Sequence, residues 1–197
     1  MDTNEHKINS SFTYLIILAI LIALGIAGRL LPHPPNFTPM AAIALFSGYI
    51  FVKRYMAILT VVVTMLLTDY FAFGFLSPEW FASKSMWVVY LSLLFPIVFK
   101  SFLQKKLGLL RITGAALTSS MVFFLATNFA VWAFSPMYEK TWSGLVLCYT
   151  MAIPFFQNTV AGDLIWSGVI FGVYYALRSY SNLTVLKQKS SLIYSSS

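Results

Sequence analysis

The chain has 197 residues, of which 59% are hydrophobic and 10% are charged, and its mean hydropathy is +0.79. Because a soluble domain is rarely more than about half apolar, this composition excludes a soluble protein and predicts an all-α integral membrane protein. The net charge of +7 does not indicate nucleic acid as a partner, since the basic residues lie between hydrophobic runs.

The hydrophobic runs predict one transmembrane domain of six helices at residues 12–178, between polar tails at 1–11 and 179–197. The first run supplies the roughly twenty residues that a bilayer requires, and it is too long for the core of a signal peptide. The six spans are predicted at 12–31, 40–52, 55–75, 86–103, 112–134 and 158–178, with a polar loop at 76–85. Pro96 predicts a kink in the fourth span.

The stretch from Arg29 to Met40 reads RLLPHPPNFTPM, and we call residues 31–39 within it the connector. Its four prolines exclude a regular helix, because proline lacks an N–H and clashes with the preceding turn. The connector is therefore predicted to be a stiff first outer loop that forms a lid or wall on the outer side of the protein. The alternative is a tight turn in which Asn36 or Thr38 caps the next helix and Pro39 is its first residue.

The last hydrophobic region, Gly144 to Arg178, has 35 residues. As one helix it would be roughly 52 Å long, whereas the bilayer core is about 30 Å thick. Pro154 and the polar residues that follow it predict a break, with a short helical or re-entrant piece before the proline and the sixth span after it.

The distribution of Lys and Arg predicts that both termini face the cytoplasm. If the chain has six spans, ten of the 13 basic residues lie on the same side of the membrane as the N-terminus. They are Lys7, Lys53, Arg54, Lys100, Lys105, Lys106, Arg111, Arg178, Lys187 and Lys189. The other side has Arg29, Lys84 and Lys140. Cytoplasmic loops carry such an excess of positive charge.

The few polar residues within the spans are predicted at similar depth, near the outer side. A charged side chain at the centre of a membrane helix costs about 2.5–3.5 kcal/mol, so such residues face a bundle interior or a water-filled cavity. The predicted binding residues for a small polar or zwitterionic solute are Arg29, Asp69, Asn128, Asn158 and Asp163, with His33 and Asn36 in the connector. The alternative is a structural or assembly protein in which these groups only hold helices together.

The sequence contains none of the common catalytic motifs, such as HExxH, a P-loop or a nucleophile elbow. We therefore expect no enzyme activity, and a membrane enzyme is the third and weakest reading. Cys148 is the only cysteine, so neither an internal disulfide nor a cysteine metal site is possible. We expect neither a bound metal nor another cofactor.

Ala19, Ala23 and Ala27 recur every four residues and therefore lie on one face of the first helix. Small residues at this spacing let another helix approach closely. The face is predicted to dock on a partner subunit, and the alternative is packing within the six-helix bundle.

Three segments carry a resemblance to a known group of proteins: RLLPHPPNFTPMAAIALFSGYIF at 29–51, FFLATNFAVW at 123–132 and GLVLCYTMAIPFFQNTVAGDL at 144–164. They resemble an uncharacterised family of bacterial membrane proteins described as transport proteins, over roughly residues 14–178. That family is similar to the S components of energy-coupling-factor transporters. The resemblance implies six helices, solute binding under the first loop near the outer face, and docking through alanines of the first helix. The partners it implies are a transmembrane coupling subunit and ATPases, and the location it implies is the bacterial inner membrane.

Overall fold

The computed structural model describes the backbone of residues 3–73 and 82–195, and the side chains of residues 12–72 and 82–180. The described elements are α1 (Thr3–Leu30), α2 (Met40–Ile50), α3 (Arg54–Phe73), α4 (Lys84–Leu94), a 3₁₀ helix (Phe95–Phe99), α5 (Lys100–Lys105), α6 (Leu109–Phe134) and α7 (Trp142–Ser195). No strand occurs in these ranges, so this part of the chain is all-helical.

Five of the helical segments are long and apolar enough to cross a membrane, which makes the chain a multi-pass membrane protein. These segments are Phe12–Leu30, Arg54–Ala72, Lys84–Lys105, Leu109–Phe134 and Trp142–Tyr180. The remaining predicted span is α2, which has only 11 residues. At 1.5 Å per residue it is about 16 Å long, which is too short to cross the hydrocarbon core alone.

The short helix α2 is the centre of the bundle and contacts every other described helix. Nine of its 11 residues are buried, from Met40 to Gly48. A helix that is apolar on all sides belongs inside a larger structure, and small residues allow its neighbours to approach. At Gly48, for example, a Cβ atom would lie 3.2 Å from the Cα atom of Ile97. Because protein surrounds α2, it does not have to span lipid by itself.

Aromatic contacts fix the direction of the helices. Tyr14, early in α1, has its ring centroid 6.0 Å from that of Phe51, which directly follows α2. Tyr174, late in α7, lies 5.6 Å from Tyr49 at the end of α2. The start of α1 and the later part of α7 therefore lie at the same end of the bundle, and the connector lies at the other end, which we call the connector end.

The two prolines predicted to interrupt helices behave differently. Pro96 lies in the 3₁₀ helix between α4 and α5, so the predicted irregularity in the fourth span is confirmed. The predicted break at Pro154 is wrong, because this proline lies inside the continuous helix α7. A proline inside a helix costs about 3 kcal/mol. A broken helix in lipid exposes several backbone groups at several kcal/mol each, so the continuous helix is the better solution.

The helices extend past the predicted ends of the transmembrane domain. The backbone of α1 begins at Thr3 and that of α7 continues to Ser195, so the expected boundaries at 12 and 178 both fall inside helices. Polar residues beyond the bilayer can continue a helix that the membrane has already nucleated. Most of the predicted loop at 76–85 lies outside the described residues, and so do all side chains of the predicted tail at 1–11 and those of residues 181–197.

The helix α1 packs on one side only. Leu21 and Gly25 are buried, and a Cβ atom at Gly25 would collide with Thr64 of α3. The opposite face is exposed, including all three alanines of the predicted docking face, Ala19, Ala23 and Ala27. Packing within the bundle therefore does not explain this alanine spacing.

Candidate functional site

The connector folds into a defined turn. The N–H of Phe37 donates to the carbonyl of Pro34 at 3.0 Å, which places Pro35 and Asn36 at the two central positions. Asn36 has a φ of 65°, the one positive value among the described non-glycine residues. Proline followed by asparagine suits a type II turn, because proline fixes the first φ and asparagine tolerates the left-handed region. The connector is thus stiff for local reasons.

Two glycines hold the connector against the helices on either side. A Cβ atom at Gly28 of α1 would lie 2.5 Å from the ring of Pro39. A Cβ atom at Gly162 of α7 would lie 3.1 Å from the Cα atom of Phe37. Any other residue at these positions would push the connector away, so the glycines allow it to cover the bundle closely.

Beneath the connector lies a cavity of about 270 Å³, which we call the connector cavity. It extends from the exposed Asn36 to residues that are almost fully buried, such as Asp163 and Ser119. Its lining residues are Arg29, His33, Asn36, Thr38, Met40, Ala41, Met65, Val89, Ser92, Leu93, Pro96, Ser119, Phe123, Thr159 and Asp163. The lining thus combines three ionisable groups, Arg29, His33 and Asp163, and several hydroxyls with an apolar wall.

Arg29 is held by an ion pair at the end of α1. Its Nη2 atom donates to Oδ1 of Asp69 at 2.7 Å, and its Nη1 atom contacts Sδ of Met65. The hydroxyl of Tyr90 donates to the second oxygen of Asp69 at 2.8 Å. Both oxygens of this carboxylate therefore have a donor, and one of the donors is a cation. Asp69 is 1% exposed and does not line the connector cavity.

Asp163 lines the connector cavity and has fewer partners than Asp69. It is 4% exposed, and the hydroxyl of Ser120 donates to its Oδ2 atom at 2.6 Å. Within the described part of the chain this is its one hydrogen bond, and no Lys, Arg or His pairs with it. The cavity therefore contains a buried carboxyl group that faces open space with a single donor.

His33 supports the connector. Its Nδ1 atom lies 2.8 Å from the carbonyl oxygen of Pro34, and its Nε2 atom lies 3.2 Å from that of Arg29. Both ring nitrogens thus face backbone acceptors, and the ring links the end of α1 to the turn. Among residues 12–72 and 82–180, no group of three His, Cys, Asp or Glu side chains could hold a metal ion.

The structure brings four of the seven predicted binding residues to the connector cavity: Arg29, His33, Asn36 and Asp163. Asp69 lies behind Arg29. Asn128 lines a smaller neighbouring cavity of about 90 Å³, and its amide donates to the carbonyl of Phe124 in its own helix at 2.8 Å. Asn158 lines neither cavity.

Hydroxyl residues of the spans are the part of the site that the sequence did not reveal. Thr159, rather than Asn158, lines the cavity, since consecutive helical residues differ by about 100° in direction. The others are Ser92, Ser119, Ser120 and Tyr90. Serine and threonine are common in membrane helices, where they satisfy their own helix carbonyls. The one signal was the adjacent pair Ser119 and Ser120 in the middle of a span.

Of three comparisons with known proteins, one gives a match. Searches among curated proteins and among solved structures returned no match. A family model described as a family of unknown function, DUF6580, matches residues 8–186. The chain therefore belongs to the DUF6580 family.

Proposed function

We propose that this protein is the solute-binding membrane component of a transport system, and that it binds a small polar solute in the connector cavity. The observation that carries the proposal is the cavity itself. A membrane protein that only held its helices together would pair its intramembrane polar groups and fill the space between them. Here Asp163 has no ion-pair partner among the described residues, and it lines, together with Arg29, an open volume of about 270 Å³ beneath a stiff cover.

The size of the cavity suits a small molecule. An engineered protein cavity of about 150 Å³ is large enough to hold benzene. The connector cavity is therefore large enough for a solute of one ring or a comparable branched skeleton. Because the connector is already ordered by its turn and by Gly28 and Gly162, little conformational entropy is lost when such a solute binds.

A copurification experiment tests the proposal. The protein is purified in detergent, denatured, and its small-molecule content identified by mass spectrometry. Ser119→Leu places a larger side chain in the cavity, whereas Thr118→Leu changes the exposed neighbouring position and serves as the matched control. We expect one solute with wild type and the Thr118 variant and its loss with the Ser119 variant. A solute that is retained equally by both variants would contradict binding in this cavity.

We further propose that the connector end faces the outside and that both termini are cytoplasmic. The excess of Lys and Arg on the side of the termini supports this orientation, and the common end shared by α1 and α7 agrees with an even number of crossings. Reporter fusions at residue 190 and in the loop 76–85 should report opposite sides of the membrane. Reports from the same side would contradict the proposed topology.

The exposed alanine face of α1 is the proposed docking surface for a transmembrane coupling subunit that works with ATPases. Ala23→Leu should leave the thermal stability of the isolated protein unchanged, because Ala23 is exposed, and should block close approach of a partner helix. Leu21 on the other face is 3% exposed, so Leu21→Ala should cost about 2–5 kcal/mol. If Ala23→Leu destabilised the isolated protein as strongly, the docking proposal would fail.

A further inference from the structure

The charges around the connector cavity do not balance. Arg29 is neutralised by Asp69, and its guanidinium also contacts Met65. An anionic solute would therefore have to compete with a carboxylate that is already 2.7 Å from the guanidinium. Asp163 has no such partner among the described residues. Asp163 is therefore the acidic group that the cavity offers to a solute without an opposite charge already beside it.

From this imbalance we infer that the solute is a small organic cation whose ammonium group binds at Asp163. This inference rests on the proposed function, since it names the class of solute for the same cavity. A carboxylate buried in a protein is costly unless it is paired with an opposite charge. An ammonium group that enters the cavity supplies that charge, and it displaces no existing ion pair.

The other lining groups fit an ammonium better than a bare metal ion. Asp163 shares the cavity with hydroxyl acceptors on Ser92, Ser119 and Thr159, and an ammonium has up to three N–H donors to share among such oxygens. A Ca²⁺ ion takes about 6–8 oxygen ligands from carboxylates, carbonyls and waters. A Mg²⁺ ion demands near-ideal octahedral geometry and keeps several of its waters, for which the apolar wall offers no partners. The described lining offers one carboxylate.

The apolar wall defines the rest of the solute. Met40, Val89, Leu93, Pro96 and Phe123 form it, so the skeleton attached to the ammonium is itself apolar. The volume of about 270 Å³ limits that skeleton to roughly one ring or a short branched chain. The class is thus an amphipathic primary or substituted amine.

A charge series of similar shape tests the inference on the full-length protein in detergent. The probes are 2-phenylethylammonium, 2-phenylethanol and 3-phenylpropanoate, titrated one at a time and followed by calorimetry. MgCl₂ titrated alone tests a bare metal ion. We expect saturable binding of the ammonium at least tenfold tighter than that of the alcohol or the carboxylate.

Two variants separate the local charge from the net charge. Asp163→Asn removes the cavity carboxylate, and we expect it to weaken binding of 2-phenylethylammonium at least tenfold. Glu139→Gln removes the same unit of charge at an exposed position outside the cavity and should leave that affinity unchanged. Equal loss in both variants, or none in Asp163→Asn, would overturn the inference.

The same titrations distinguish the inference from the proposed function. Tighter binding of the alcohol or the carboxylate, abolished by Ser119→Leu, would overturn the cationic class and support the cavity as a solute site. Binding of Mg²⁺ without the ammonium would overturn the organic class. Absence of binding by every probe would overturn the inference, and absence of a copurified solute as well would overturn the proposed function.

Discussion

Two aspartates are buried to nearly the same extent at the connector end, yet their surroundings differ. Asp69 is 1% exposed and accepts hydrogen bonds from Arg29 and Tyr90. Asp163 is 4% exposed, faces the connector cavity and accepts one hydrogen bond, from Ser120. Burial alone therefore does not tell a structural carboxylate from one that is available to a ligand. The number and charge of the partners, and the presence of open space, make the distinction.

Each aspartate also joins different helices. Asp69 of α3 ties the end of α1 to α4 through an arginine and a tyrosine. Asp163 of α7 accepts its one described hydrogen bond from Ser120 of α6. The first arrangement is what we expect of a group that stabilises the bundle, since breaking a buried ion pair is costly. In the second arrangement, the stability of the bundle depends little on the carboxylate, whereas binding of a solute in the cavity depends on it strongly.

The largest loss of stability is expected when the ion pair between Arg29 and Asp69 is broken. Asp69→Asn leaves the guanidinium of Arg29, whose side chain is 22% exposed, without its counter-charge. The cost of removing one partner of a buried pair is about 3–5 kcal/mol, and the partial exposure of Arg29 places this case near about 3 kcal/mol. Thermal unfolding in a fixed detergent measures the loss.

A double variant sharpens this first prediction. Arg29→Met combined with Asp69→Leu removes both charges, so no unpaired charge remains, and the double variant should be more stable than Asp69→Asn alone. A double variant that is less stable than the single one would mean that the ion pair itself contributes more than the cost of burying it.

The next largest loss of stability is expected when the phenol hydroxyl of Tyr90 is removed. Tyr90→Phe removes the donor to Oδ2 of Asp69, an oxygen that does not reach the cavity. Because a buried carboxylate oxygen cannot replace the lost donor, we expect a loss of about 1.5 kcal/mol in the free energy of unfolding. Tyr149→Phe is the matched control, since that hydroxyl donates to the backbone carbonyl of Leu125 at 2.7 Å and is exposed. A loss no larger than that of the control would contradict the role given to Tyr90.

The smallest effect is expected at Ser120. Ser120→Ala removes the one described donor to Asp163, but this carboxyl group borders the cavity, where water can take the place of the hydroxyl. We expect a loss of about 1 kcal/mol or less. Chemical or thermal unfolding of this variant beside Tyr90→Phe gives the comparison. A larger loss for Ser120→Ala would make Asp163 the more structural of the two aspartates.

Part of this arrangement could be predicted from residue type and depth. Arg29 and Asp163 were expected at an interior cavity because an ionisable group in a membrane span must avoid lipid. The stiffness of the connector followed from its prolines. In both cases the prediction depends on the residue types in the local sequence and not on how the helices pack together.

The remaining features depend on tertiary packing. That Arg29 binds Asp69 requires α1 to lie beside α3, and nothing local in the sequence specifies this neighbour. That Thr159 rather than Asn158 reaches the cavity depends on the rotation of α7. The continuity of α7 through Pro154 depends on the lipid surroundings, which penalise a broken helix more than a missing hydrogen bond.

The most direct test of the account compares Asp163→Asn with Asp69→Asn in one unfolding experiment, without added solute. The two changes are chemically the same and the two sites are almost equally buried. We predict that Asp69→Asn lowers the free energy of unfolding by about 3 kcal/mol, because it leaves Arg29 unpaired. Asp163→Asn should be as stable as wild type or more stable, since it removes a buried carboxyl group that no opposite charge stabilises, and the amide oxygen can still accept the hydrogen bond from Ser120. Equal destabilisation of both variants would contradict the account and make Asp163 a residue that only holds the helices together.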